Sequence, residues 1–222
     1  MKNIYIILFL LFITNCSYSQ NPCPGIPTVA YAGKTYHTVQ IGSQCWLKEN
    51  LDIGTMIDSA QDQTNNGIIE KYCYNNNSAN CTIYGGLYQW AEAVQYQNGA
   101  TNTTLTNPPL TGNVEGICPS GWHIPTRAEY QTLSSSASNN SDALKAVGQG
   151  SGTNTSGFSA LLAGYRFDGG FFYSLGDFTY FWSSTEGDAT EAYYMYLTSY
   201  GSSVQFGNRS KVFGLSVRCA KD

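Results

Sequence analysis

Tyr180-Phe-Trp-Ser-Ser-Thr-Glu186, Ala192-Tyr-Tyr-Met-Tyr-Leu-Thr-Ser-Tyr-Gly201 and Gly214-Leu-Ser-Val-Arg-Cys-Ala-Lys-Asp222 are the stretches whose reading decides the fold. Aromatic and small polar side chains dominate them, charges are few, and no catalytic trio stands out. Side chains along a strand alternate between its two faces. Within residues 192–199, Tyr193, Met195 and Leu197 therefore share one face, and Tyr194, Tyr196 and Thr198 share the other. Met195 and Leu197 mark the core side. Val204 and Phe206 continue an apolar side and leave Gln205 exposed. Tyr194 and Tyr196 are thus expected to face solvent, two positions apart on one strand. Tyr and Ser offer contact area and hydrogen bonds at low entropic cost, which is why binding surfaces use them. An ordinary hydrated β-surface has a similar look, because Tyr and Thr are good strand formers.

Working outward, Lys34-Thr-Tyr-His-Thr-Val-Gln-Ile41 alternates as a half-buried strand does. Residues 88–96 are the first good helix candidate, and 98–106 form a polar loop. Thr126-Arg-Ala-Glu129 opens a second helix as a capping box, in which the Thr side chain and the Glu side chain each satisfy a first-turn N–H. That helix is expected to run to about Ser134. Residues 138–156 are loop-rich, with a short helix expected at 142–147. Asp168-Gly-Gly170 turns the chain between strands at 161–167 and 171–175. No internal repeat and no second domain is visible. Two helices among many short strands make an α+β domain.

The first residues belong to a different kind of segment. Lys2 precedes an apolar run at 4–13, well short of the ~20 residues needed to cross a bilayer. Ser17-Tyr-Ser19 supplies small residues for cleavage before Gln20, so residues 1–19 are expected to be a secretory signal peptide. The alternative is a lipoprotein signal with Cys16 lipidated, although Asn15 is a poor fit to the small residue such signals prefer. Residues 20–28 form a short leader stiffened by prolines, and the domain occupies 29–222. No further apolar run is long enough to span a membrane in the mature chain. The sequence holds 7 Cys. Setting Cys16 aside leaves Cys23, Cys45, Cys73, Cys81, Cys118 and Cys219, an even set that in an exported chain implies disulfides. The pairing is open from sequence alone. Spacing favours a local Cys73–Cys81 staple around the polar loop 74–80 and a long-range Cys118–Cys219 link, which leaves Cys23 with Cys45.

Composition narrows the function. Charged residues make up 12% of the chain, the net charge is −4, and no basic cluster exists. A nucleic-acid partner is therefore excluded on electrostatic grounds. There is no Cys-x-x-Cys, and the two histidines, His37 and His123, are far apart, whereas zinc ligands usually cluster in sequence. Glu186, Asp188 and Glu191 are the closest group of carboxylates and read as solvating a turn. His123, beside Trp122 and Pro125, reads as a packed structural residue, and no nucleophile–base pair emerges. No metal, cofactor or catalytic residue is expected.

Several motifs occur in order: Val39-Gln-Ile-Gly-Ser-Gln-Cys-Trp-Leu-Lys-Glu-Asn-Leu51, Tyr84-Gly-Gly-Leu-Tyr-Gln-Trp90, Cys118-Pro-Ser-Gly-Trp-His-Ile-Pro-Thr126, Gly157-Phe-Ser-Ala-Leu161, Gly164-Tyr-Arg166, Trp182-Ser-Ser-Thr-Glu186 and Gly214-Leu-Ser-Val-Arg-Cys219. With Cys73 and Cys81 between them, they resemble the Fibrobacter succinogenes major paralogous domain family of exported bacterial proteins. The resemblance covers nearly all of 29–222. It implies a C-type lectin-like fold, in the branch shared with formylglycine-generating enzymes and retroelement-diversified receptor proteins. Two helices would flank small twisted antiparallel sheets stapled by disulfides, with the termini close together. Trp46, Trp90, Trp122 and Trp182 would fill the core, as large aromatics usually do.

The formylglycine-generating enzymes need a pair of reactive cysteines near the C-terminal end, and only Cys219 lies there. Calcium-dependent lectins of this fold use Glu-Pro-Asn or Gln-Pro-Asp and then Trp-Asn-Asp, and none of these occurs. The retroelement-diversified proteins bind partners with residues matching Tyr194, Tyr196, Thr198, Ser202, Gln205 and Asn208. The resemblance therefore implies a ligand face at those positions. The expectation is a secreted or cell-surface, non-catalytic module that binds an extracellular glycan or surface protein. A structural cell-surface component without a soluble ligand is the alternative, and an oxidase of the formylglycine-generating kind stands behind both.

Overall fold

The computed structural model describes residues 20–222. The expected signal segment 1–19, with Cys16, lies outside the described residues. In chain order the strands are β1 (Thr28–Tyr31), β2 (Lys34–Ile41), β3 (Gln44–Leu47), β4 (Thr55–Met56), β5 (Glu70–Lys71), β6 (Leu87–Tyr88), β7 (Ala163–Arg166), β8 (Phe172–Leu175), β9 (Phe178–Glu186), β10 (Glu191–Thr198), β11 (Gln205–Ser210), β12 (Leu215–Ser216) and β13 (Ala220–Lys221). The helices are α1 (Ser78–Tyr84), α2 (Trp90–Ala93), α3 (Arg127–Ser136) and α4 (Ser141–Leu144). Strands predominate, helices are few and short, and three disulfides tie the chain, which is an α+β arrangement. No helix among the described residues is long and apolar enough to cross a membrane.

One sheet runs β1-β2-β3-β13. Ala220 lies opposite Trp46, so the last strand pairs with an early one and the two ends of the domain meet. The other main sheet runs β11-β10-β9-β12-β6, with β7 parallel to β9 and β8 beyond it. β4 and β5 form a small parallel pair. The disulfides are Cys23–Cys45, Cys73–Cys81 and Cys118–Cys219. The last closes a separation of 101 residues. In the loop-entropy model a loop of that size contributes on the order of 4–5 kcal/mol.

The capping box forms as the sequence predicts. Thr126 Oγ1 accepts from the Glu129 N–H at 3.2 Å, and Glu129 Oε2 accepts from the Thr126 N–H at 2.7 Å. The helix it opens runs two residues past the expected end, to Ser136. Three other helical expectations are corrected. The helix expected at 88–96 shrinks to one turn. Leu87 and Tyr88 pair with β12 instead, and Tyr88, fully buried, exchanges hydrogen bonds with the Ile53 backbone through its hydroxyl. Gln95 and Tyr96 then take positive φ and end the turn. Tertiary pairing here overrides local propensity. The polar loop expected between Cys73 and Cys81 contains most of a helix turn: Asn77 caps α1 by accepting from Ala79 N–H, and Cys81 sits on that helix. The helix expected at 142–147 begins at Ser141 and stops at Leu144, because Lys145 leaves it with extended backbone.

Two apolar clusters lie on opposite sides of β9 and β10. Trp46, Tyr130, Phe158, Phe181, Met195 and Leu197 belong to one, covered by α3. Trp90, Trp122, Trp182, Tyr180 and Tyr194 belong to the other. All four tryptophans are buried. The indole N–H groups of Trp90 and Trp182 donate to Ser183 O and Tyr88 O at 2.9 and 2.8 Å, which satisfies polar atoms that burial removes from water.

Candidate functional site

The open end of the β9–β10 ribbon carries a groove of about 250 Å3. Phe178, Tyr196 and Tyr200 line it, together with Thr198, Ser202, Ser203 and Gln205. Cross-strand register builds the aromatic wall. Thr198 pairs with Phe178 and Tyr196 with Tyr180, so rings of the even-numbered positions meet on one face. Phe178 stacks on Tyr180 at 5.8 Å between centroids, Tyr180 on Tyr196 at 5.5 Å, and Tyr200 meets Phe178 edge-on at 5.6 Å. Offset and edge-on arrangements at such spacings are the favourable ones for ring quadrupoles. Tyr200 is 77% exposed and stands at the rim.

The groove's floor is held from behind. Lys145 is fully buried, and its ammonium donates to Thr198 O at 2.7 Å and Gly201 O at 3.1 Å while pairing with Asp142 at 2.8 Å. Burial alone would raise the Asp142 carboxyl, but hydrogen bonds from Lys145 and Ser151 hold it below its ordinary value. Ser141 donates to Gly201 O from its hydroxyl and to Ser202 O from its backbone. Thr198 Oγ1 accepts from the Gly201 N–H. Gly150, at φ +56°, lets the neighbouring loop close on this turn: a Cβ there would lie 2.2 Å from Ser199 O. The Thr198–Ser203 turn is thereby held from behind by buried hydrogen bonds.

Of the six positions implied as a ligand face, Tyr196, Thr198, Ser202 and Gln205 come together in this groove. Two expectations are corrected. Tyr194 does not face solvent. It is 8% exposed, because the sheet is covered on both sides at this point. Its register partner is Gly207, and the ring lies across that glycine; a Cβ there would sit 2.7 Å from Tyr194 Oη. The Arg209 guanidinium then caps the cluster, 5.8 Å from Tyr194 and 5.2 Å from Tyr180. Asn208 is opposite Tyr193, not Tyr194, so it belongs to the other face and donates to Glu191 Oε2. Thr198 lines the groove but is itself buried, with its hydroxyl engaged by Gly201. Met195 and Leu197 are buried as expected. Sequence reasoning missed Phe178, Tyr200 and Ser203. For Phe178 the signal was present: it has the same parity as Tyr180 on one strand.

The other polar groups are occupied structurally. Glu186 pairs with the buried Lys211 at 2.7 Å and accepts from Thr106. Asp188 accepts from the backbone N–H groups of Thr190 and Glu191, which holds its carboxyl below the ordinary value. His37 contacts Glu49 at 2.8 Å on the surface. His123 is buried, with Nε2 2.7 Å from Glu129 Oε1. Burial works against ionised Glu129, yet hydrogen bonds from His123 and Thr126 bring its pKa down to about 2. Among the described residues, His123, Glu129 and Asp222 are the one group of three metal-ligating side chains whose ligand atoms lie within 4.8 Å of one another. Glu129 in that group already accepts from His123, Thr126 and Gln44.

No curated protein and no solved structure matches the chain. The model of the Fibrobacter succinogenes major domain matches residues 39–221, from β2 through β13 and across the whole groove, and the chain therefore belongs to that family.

Proposed function

We propose that the chain is an exported, non-catalytic recognition module of the C-type lectin-like kind, taking an extracellular ligand in the groove of Phe178, Tyr196 and Tyr200. A neutral glycan is the ligand class this groove suits best. One observation carries the reading: rings, hydroxyls and an amide line the groove, and no charged side chain does. A sugar ring presents C–H faces to aromatic side chains and hydroxyls to donors and acceptors of this kind. At about 250 Å3 the groove is near the small end of ligand clefts, which suits one sugar unit of a longer chain.

Export is supported by three disulfides, which persist in oxidising compartments. The absence of catalysis is supported by Cys219 being bonded to Cys118 and by His123 being tied into the α3 cap. A surface-protein ligand is the second reading, favoured by the exposed aromatics Phe171 and Tyr173 on the β7–β8 hairpin. A structural cell-surface component is the third.

The test is a glycan array with the oxidised protein, run beside a pull-down from surface proteins, each with wild type and Tyr200→Ala. Saturable binding to neutral glycans that Tyr200→Ala removes supports the proposal. Capture of a surface protein alone moves the assignment to the second reading, and silence in both arms leaves the structural role. Turnover of a thiol peptide in the presence of copper overturns the non-catalytic assignment.

A further inference from the structure

A second cavity, of about 380 Å3, shares no lining residue with the aromatic groove. Lys34, Lys48 and Arg218 line it, with Glu49 as its single carboxylate and Ile83 and Leu161 among its apolar walls. That is an excess of positive charge in a chain whose net charge is −4. The carboxylates nearest these cations are shared with other partners. Lys34 reaches Asp52 only at 3.6 Å, and Asp52 is held by Lys71 at 2.6 Å. Both Glu49 oxygens accept from His37, one from its backbone N–H and one at its ring. Lys48 is half-buried; its backbone N–H donates to His37 O at 2.8 Å, and its ammonium makes no hydrogen bond or ion pair among the described residues.

Arg218 is the decisive group. It is 1% exposed and forms no salt bridge among the described residues; its guanidinium lies 4.4 Å from the Phe158 ring and 5.4 Å from the Phe181 ring, whereas buried charges are ordinarily paired with an opposite charge. Its hydrogen bonds go to neutral oxygens: Nε and Nη2 to Asn50 Oδ1 at 3.1 and 2.7 Å, and Nη1 to Leu47 O at 3.1 Å and Phe158 O at 2.6 Å. A guanidinium has five N–H donors. One of them is left without an acceptor, beside a cavity that a free lysine also lines. Ile83, on α1, is 59% exposed next to this cluster.

We propose that this cavity binds a small organic anion carrying an apolar body. The anionic group pairs with the Lys48 ammonium, with Arg218 behind it adding positive charge, and the body covers Ile83 and Leu161. The volume falls at the low end of clefts that take small ligands. Charge-assisted hydrogen bonds are stronger than neutral ones, so the Lys48 ammonium favours an anion over a neutral ligand of the same shape.

Octanoate is a suitable probe, with octanamide as its neutral counterpart and inorganic phosphate as an anion without an apolar body. Calorimetric titration into the intact oxidised protein reads the affinities. Saturable octanoate binding is expected, with octanamide and phosphate each at least about tenfold weaker, since a charge-assisted hydrogen bond is worth roughly that factor. Lys48→Gln is expected to weaken octanoate at least about tenfold with an unchanged melting temperature, as the Lys48 ammonium supports no other contact. Ile83→Ser, at an exposed position, weakens it too, while Tyr200→Ala leaves it untouched. The proposal is overturned if octanoate fails to saturate, if octanamide or phosphate binds as well, or if Lys48→Gln changes nothing. Loss of octanoate binding in Tyr200→Ala would likewise overturn it, by tying the signal to the aromatic groove.

Discussion

The two faces of the β9–β10 ribbon differ only in the parity of residue number, yet they do different work. The odd face is apolar, fully buried and roofed by α3 at Phe181, Met195 and Leu197, and becomes half-buried toward Tyr193 and Glu191. The even face, with Phe178, Tyr180, Trp182, Tyr194 and Tyr196, is aromatic and graded along its length. Trp182 is completely buried, Tyr194 and Tyr180 are nearly so, Tyr196 and Phe178 are half-buried, and Tyr200 stands in solvent. Burial thus fades over a few residues of one strand. At the closed end the rings are anchored by indole and backbone hydrogen bonds, and at the open end the turn behind them is held by Lys145 and Ser141, so the same residue type is core at one end and solvent-facing at the other.

The sharpest way to break this comparison is to remove a side chain from the odd face. Met195→Ala leaves a cavity under α3 and is expected to destabilise the fold by about 2–5 kcal/mol. Ligand binding at the groove should fall far less, once measured below the new melting temperature. Denaturant unfolding reads the first quantity. A loss under about 0.5 kcal/mol would mean the odd face is not the principal core side.

Tyr194→Ala tests where the even face changes character. The ring lies over Gly207 beneath Arg209, so its truncation is expected to destabilise by about 2–3 kcal/mol, somewhat less than a fully enclosed aromatic. If Tyr194 were a surface residue, the change would be near zero. A stability loss that Arg209→Ala does not deepen further would show that the two act as one unit, as contacting residues commonly do.

The roof over the odd face has its own signature with pH. The Glu129 carboxyl is held down to about 2 in the folded chain against an ordinary 4.5. A depressed folded value means the stabilisation is fully present above pH 4.5 and is lost as pH falls through about 2. Its size is on the order of 2 kcal/mol after allowance for partial solvent contact. Glu129→Gln keeps the capping geometry but should flatten the acid limb in that window. An unchanged acid limb would place the pH dependence elsewhere.

What the sequence revealed follows from how local each cause is. β2 was readable to the residue because alternation alone defines it, and α3 because Thr126 and Glu129 cap it within one turn. The burial of Met195 and Leu197 was readable for the same reason. The helix expected at 88–96 was not, because its first residues are claimed by β12, more than a hundred positions away. Tyr194 was misjudged on a related ground. Period two shows which residues share a face, but whether that face is covered depends on Arg209, Phe213 and Tyr165 from other strands and loops. Asn208 failed on register, which no single strand reveals. Four of the six positions come together because they surround one turn, and that turn is local.

The smallest effect on stability is expected where the effect on binding is largest. Tyr200 is 77% exposed, and its ring meets Phe178 edge-on. Tyr200→Ala should therefore shift unfolding by no more than about 0.5 kcal/mol, the usual range for a surface change. Tyr196→Ala should cost somewhat more, since its ring also stacks on Tyr180. If the groove is the binding site, each truncation removes an aromatic platform, and affinity for the ligand should drop by about 2 kcal/mol or more. Tyr200→Phe keeps the ring and should restore most of that loss, which distinguishes stacking from a hydroxyl contact. Should both alanine variants bind as well as wild type while remaining folded, the open end of the even face is merely exposed, and the gradient along the ribbon carries no recognition.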